Sequence, residues 1–252
     1  MKKIINNFLS FINRHVQTEK KYWINRKFSG KHLLKNIEKT DHQTYERLKS
    51  FRESEHQIGR YINMKKIFEE INQDNISGDV VEFGTWQGDG MCILDKAICK
   101  FTKKKIIGID SFEGLPHNST IWHKGTFNDT NIKIVEKKLE INLNNFKKFK
   151  LIKGWFNEKK VADELYEYTN DLCVIHFDAD LGKSTLDIFK IIEPYLKKVD
   201  HPVYFLFDDW GIHPNEIPEA FNTWYKEFSS KVEFKLILHS NTNLTRYYKL
   251  EF

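Results

Sequence analysis

Cysteine is scarce, with Cys92, Cys99 and Cys173 the only three in 252 residues. The count is odd and no two stand at a metal-ligand spacing. A disulfide framework and a zinc site are therefore not expected, and reduced, buried thiols suit a cytoplasmic protein. Long apolar runs are also missing. None approaches the roughly 18 residues of a membrane span. The opening Met-Lys-Lys runs into IINNFLSFINRHV, where asparagines interrupt any apolar core and no small-residue cleavage site follows, so no secretory leader is expected. Repeats and low-complexity tracts are absent. Charge is not gathered by sign: 40 basic against 35 acidic side chains leave +5, leaning toward residues 1–60. A nucleic-acid partner would require a basic face or stripe, and none is expected.

The sequence is otherwise that of a folded globular protein, 40% hydrophobic and 30% charged. Residues 1–52 read as a basic, partly helical extension. Ile5, Phe8, Leu9, Ile12 and Val16 share one helical face. Such a face packs on its own domain or on a partner subunit, which leaves a homo-oligomer open; membrane-surface binding is the sharper alternative. Residues 53–252 form the expected catalytic domain. Its first helix runs from Glu53 to Gln73, with Ile58, Tyr61, Ile62, Ile67 and Ile71 as apolar positions, and Ser77-Gly78 breaks it. Five short apolar runs follow, at Asp79–Gly84, Lys105–Asp110, Lys148–Lys153, Leu172–Asp178 and Val203–Phe207, alternating with helical stretches. Near-continuous apolar runs suit strands covered on both faces, and the alternation predicts a doubly wound, mostly parallel α/β sheet. Phe234–Leu238 and Thr245–Leu250, around an Asn-rich turn, predict a closing antiparallel hairpin. Strand order is not readable from this pattern.

Ligands of open parallel sheets sit beyond the carboxyl ends of the strands. The first run ends in Glu82-Phe83-Gly84 and continues through Gly88 and Gly90. The second ends in Asp110, the third in Gly154-Trp155-Phe156, the fourth in Asp178-Ala179-Asp180 and the fifth in Asp208-Asp209-Trp210. Acid thus stands at four of the five ends. The glycine loop allows close backbone approach, and its acids suit an ammonium or sulfonium ligand better than a pyrophosphate; a plain strand-to-helix turn is the alternative. Asp110 is placed to accept hydrogen bonds from ribose hydroxyls, or else to cap a helix, which Ser111 could do as well. Trp155 is placed either against an adenine ring or in the core. In extended backbone Asp178 and Asp180 point to one side. Together with Asp208 and Asp209 they would repel strongly unless a divalent cation of the magnesium, calcium or manganese type joined them. The alternative is four exposed or capping acids. Asp208 and Asp209 can share an ion only if the chain turns there, since consecutive strand residues point oppositely.

The segments GDVVEFGTWQGDG, IDSFEGLP, KGWF, DADLGKST and FDDW, in this order and spacing over residues 76–250, resemble the macrocin O-methyltransferase (TylF-like) family. That family includes sugar O-methyltransferases of macrolide and aminocoumarin biosynthesis. The resemblance implies a Rossmann-like methyltransferase fold with S-adenosylmethionine over its first half. It implies cofactor contacts from Glu82, Gly84, Gly88 and Asp110, with Ser111 and Phe112 flanking ribose and adenine. It further implies magnesium on Asp178, Asp208 and Asp209, and Asp180 as general base. Gly182 departs from the pattern, in which a large residue is usual, and that leaves acceptor choice open.

The reaction expected is metal-dependent transfer of a methyl group to a sugar hydroxyl, the sugar being nucleotide-linked or part of a surface glycan, polysaccharide or natural product. His213 is a reserve base, and His176 is expected behind the aspartates or in the core. Residues 113–131, with Trp122, His123, Lys124 and Phe127, form a lid or binding loop, and the segment from Trp210 to Trp224 forms the facing wall. A catechol-type O-methyltransferase, a nicotinamide-dependent oxidoreductase and a non-catalytic glycan-assembly partner are the competing classes.

Overall fold

The structure is a computed structural model that describes residues 54–98, 104–143, 148–211, 216–241 and 245–252. The apolar face at Ile5–Val16, Cys99 and His213 lie outside them. The chain divides into two compact units, residues 1–59 and 60–252.

Helix α1 (Ser54–Gln73) enters first. It buries Tyr61, Met64, Ile67, Phe68 and Ile71, a spacing that keeps them on one face. Next come β1 (Asp79–Phe83), α2 (Asp89–Ile98), β2 (Ile106–Asp110), α3 (Ile132–Asn142), β3 (Phe149–Lys153), α4 (Lys159–Tyr168), β4 (Leu172–Phe177), α5 (Gly182–Leu196), β5 (Val203–Phe207) and α6 (Glu216–Ser229). The hairpin of β6 (Lys235–Asn241) and β7 (Arg246–Glu251) closes the sheet. No helix among the described residues is long and apolar enough to cross a membrane.

The seven strands run in the order β3-β2-β1-β4-β5-β7-β6. The first five are parallel and β7 joins them antiparallel. The order turns back between β1 and β4, which is the switch point where ligands of such sheets bind. Strand alternation sorts the side chains. Val81, Phe83, Ile107, Ile109, Ile175, Phe177, Phe205 and Phe207 face one large core, shared with Val161 and Leu165 of α4, Ile188 and Phe189 of α5, and Phe221 and Trp224 of α6. There Phe189 stacks on Trp224 at 4.3 Å and Phe177 on Phe207 at 4.3 Å. The opposite face carries Val80 and Val174 but also, fully buried, Glu82 and His176. Two charged-type side chains in one sheet face require partners, and these lead to the site.

Candidate functional site

The ladder of backbone hydrogen bonds continues one step past the strands. Gly84 donates to Ile109 (2.9 Å), Asp178 to Phe83 (2.8 Å), Asp208 to Phe177 (3.0 Å) and Gly154 to Asp110 (2.9 Å). Four of the expected strand-end residues are thereby held in register along one rim. Gly84 has φ +95°, and a Cβ there would stand 1.7 Å from the Asp178 carbonyl oxygen. Only glycine lets the first loop cross the Asp178 backbone so closely.

Beyond the rim the chain turns at Asp208-Asp209, which removes the alternation that would have set them on opposite sides. Carboxylate oxygens of Asp178, Asp208 and Asp209 lie within 4.8 Å of one another. Asp208 and Asp209 are buried. The backbone of Asp180 is not extended; its φ is +57°, in the left-handed region. Its proximity to Asp178 therefore arises from a tight turn, not from strand periodicity, and its N–H donates to Asp209 Oδ2 (3.2 Å).

Electrostatics follow from this crowding. Burial, then the neighbouring Asp178 and Asp208, push the Asp180 carboxyl well above the usual aspartate range. Burial and Asp180 do the same to Asp209. Asp178 is pushed up to about 6 by burial, against the pull of Arg60. Oxygen donors with surplus negative charge, gathered from two adjacent strand ends, fit a hard divalent cation. Those that would hold it are Asp178, Asp208 and Asp209.

Arg60, on α1, was not among the sequence-derived candidates. It is 4% exposed, and its Nη2 donates to Asp178 Oδ2 (2.5 Å) and His176 Nε2 (3.2 Å) and lies 3.1 Å from Asp208 Oδ2. His176 Nδ1 in turn lies 2.9 Å from Glu82 Oε2. Glu82 is thus enclosed behind the first loop, where a Cβ on Gly90 would meet its Oε2 at 2.1 Å. Burial pushes the Glu82 carboxyl up to about 8, with Arg60 opposing. His176 is wholly buried in the sheet face and reaches the aspartates through Arg60. A signal for Arg60 existed: it falls on the buried stripe of α1 with Met64, Ile67 and Ile71, where a charge needs a partner.

The remaining candidates gather around the first loop. Asp110 accepts from Trp86 N–H (2.8 Å) through Oδ2 and from Phe112 N–H (2.6 Å) through Oδ1. It joins two loops instead of capping a helix, and a carboxylate with about four acceptor sites keeps capacity for hydroxyls. Ser111 Oγ accepts from Glu113 N–H and donates to the Gly114 carbonyl. Phe112 is buried, with φ +55°. Gly88, at φ +80°, packs against Val135 and Leu139 of α3. Trp155 is half-buried beside Gly154, and it is Phe156, not Trp155, that packs on the core, edge-on to Phe83 at 5.5 Å.

Residues 113–131 fold back on the first loop. Trp122 meets Phe127 at 5.1 Å, Phe127 meets Trp86 at 5.1 Å, and Asp129 accepts from Trp86 Nε1 (2.6 Å) and Gln87 Nε2 (3.1 Å). On the other side Gly182 leaves no gap. A Cβ there would stand 2.7 Å from the Glu216 carbonyl oxygen, so the start of α6 fills the space that the small residue opens. Where the family pattern has a large side chain, the backbone of Glu216 stands against Gly182.

Residues 10–236 match the macrocin-O-methyltransferase (TylF) family model, which takes in much of the segment that sequence motifs left uncovered. A demethyldecarbamoylnovobiocin O-methyltransferase of Streptomyces niveus is 26% identical over 170 residues, 62% of each chain. A tetracenomycin-C rhamnosyl 4'-O-methyltransferase of Streptomyces olivaceus is 28% identical over 171 residues, 62% of this chain and 61% of that one. The chain thus spans less than two thirds of these curated relatives. The solved O-methyltransferase NovP shares the fold with a TM-score of 0.59 at 20% identity, over 76% of this chain and 79% of that one.

Proposed function

The chain belongs to the macrocin-O-methyltransferase (TylF) family, and from that premise we propose that it transfers the methyl group of S-adenosylmethionine to a sugar hydroxyl at a metal site. The observation that carries the metal reading is the convergence of Asp178, Asp208 and Asp209 within 4.8 Å, beside a glycine loop whose φ values only glycine adopts freely. A sugar is favoured over a phenol because one relative is named for a rhamnosyl substrate. Nucleotide-linked and glycan-borne sugars are the two carriers to test.

Gly84 and Gly88 let the loop backbone approach the methyl donor. Asp110 offers its remaining acceptor capacity to the ribose hydroxyls, and Phe112 and Trp155 flank the adenine. A divalent ion, when bound, supplies the positive charge that lowers the proton affinity of the acceptor hydroxyl. The acceptor oxygen–carbon bond forms as the sulfur–carbon bond breaks, S-adenosylhomocysteine leaves as a neutral thioether, and the hydroxyl proton passes to Asp180. The left-handed turn and the N–H bond to Asp209 hold the backbone of Asp180 in place beside the aspartates.

The test uses S-adenosylmethionine with a deuterated methyl group, magnesium, a panel of nucleotide-linked and free deoxysugars, and a catechol. One labelled methyl group should appear on a sugar and disappear in excess chelator. Asp180→Asn should lose rate about 10²–10⁴-fold while still binding S-adenosylhomocysteine. Methylation of the catechol alone would move the assignment to the phenolic class, and full activity in chelator would remove the metal from it.

A further inference from the structure

We propose that Arg60 is a positioning residue, holding Asp178 and Asp208 through one guanidinium nitrogen in the orientation in which they, with Asp209, receive a divalent cation. The inference rests on the metal reading of this site.

Four observations converge on it. Arg60 is almost wholly buried on a helix face that otherwise buries Met64, Ile67, Phe68 and Ile71. A charge in that stripe is costly unless it is paired. Its Nη2 lies within 3.2 Å of three acceptors, on the ends of two adjacent strands and on the strand face below them. The arginine must donate to His176 Nε2, so the ring proton sits on Nδ1 and is donated to Glu82 Oε2. That direction fixes the imidazole, and the imidazole limits where the guanidinium can lie. Finally, Asp178 and Asp208 repel each other, and a shared positive charge between them offsets that repulsion before any ion arrives. The chain Glu82–His176–Arg60 thus ends on two of the three carboxylates that would bind the ion. Loss of a partner that orients metal ligands from behind in this way costs metal affinity on the order of 10–100-fold.

A purely structural arginine would change melting temperature and leave metal affinity alone. A competing cation would do the reverse of positioning, and its removal would tighten metal binding. The experiment uses metal-stripped, full-length protein, titrated with manganese(II) and read from the electron paramagnetic resonance signal of the free ion. Arg60→Met should weaken manganese binding about 10–100-fold with S-adenosylhomocysteine affinity unchanged. Arg60→Lys should fall between it and the wild type, because one ammonium carries three donors on a shorter reach. Manganese affinity in Arg60→Met equal to or tighter than in the wild type overturns the proposal. If Arg60→Met does not fold, Arg60→Lys decides alone, and wild-type affinity there overturns it. A wild-type protein that binds S-adenosylhomocysteine but no manganese overturns the metal reading, and this inference with it.

Discussion

Glu82 is fully buried on a strand face, where its Oε2 lies 2.9 Å from His176 Nδ1. Its Oε1 is buried with no hydrogen-bond partner among the described residues. Burial raises this carboxyl from 4.5 to about 8, so the folded protein keeps a proton that the unfolded chain has released. The contribution to stability is therefore complete below about pH 4.5 and is lost as pH rises toward about 8. Glu82→Gln keeps the shape and cannot ionise. The melting temperature of the wild type should fall relative to Glu82→Gln between pH 5 and pH 8, each kcal/mol being worth about 2–4 °C in a domain of this size. A wild-type-minus-variant difference that stays constant with pH contradicts this reading. At the residue scale the sequence displayed the acids and not their depth. Glu82 stood in the motif expected to touch cofactor, yet nothing in it told that His176 and Gly90 enclose the carboxylate. Arg60 was legible only as a charge in an apolar stripe, and its partners lie more than a hundred residues away on β4 and β5.

The strands, the first helix and the closing hairpin were readable because their periods are local, and their observed bounds lie within three residues of those expected. What surrounds the strand ends was not, because turns there are set by tertiary contact. Extended geometry was assumed for Asp178–Asp180, where the chain instead takes φ +57° at Asp180. At Gly182 the sequence showed only a departure from the family pattern, and the start of α6 lies against it. Gly84 is the element-scale counterpart, since its φ of +95° and the 1.7 Å approach to Asp178 join the first loop to the fourth strand. Gly84→Ala should cost about 1–3 kcal/mol from backbone conformation alone, with steric overlap adding to it. Urea unfolding should show this as a lowered midpoint or a failure to fold. A variant as stable as the wild type would mean that the loop has room to move away from β4, and that it does not fix the position of Asp178.

For the whole molecule, the switch in strand order between β1 and β4 places the glycine loop and the aspartates side by side. No periodicity in the sequence reveals that order; only the family resemblance implied it. On the proposed reading, one rim of the sheet serves two binding tasks, with the methyl donor over β1 and β2 and the cation over β4 and β5. The segment of residues 113–131 is fastened to the first loop through Trp86, Phe127 and Asp129. A crystal of the protein grown with S-adenosylhomocysteine and manganese(II), with anomalous differences collected for manganese, tests this arrangement most directly. One manganese peak should lie within coordination distance of Asp178, Asp208 and Asp209, with the thioether sulfur beside it over the glycine loop. S-adenosylhomocysteine in place with no manganese peak at those three carboxylates, at saturating manganese, would contradict it.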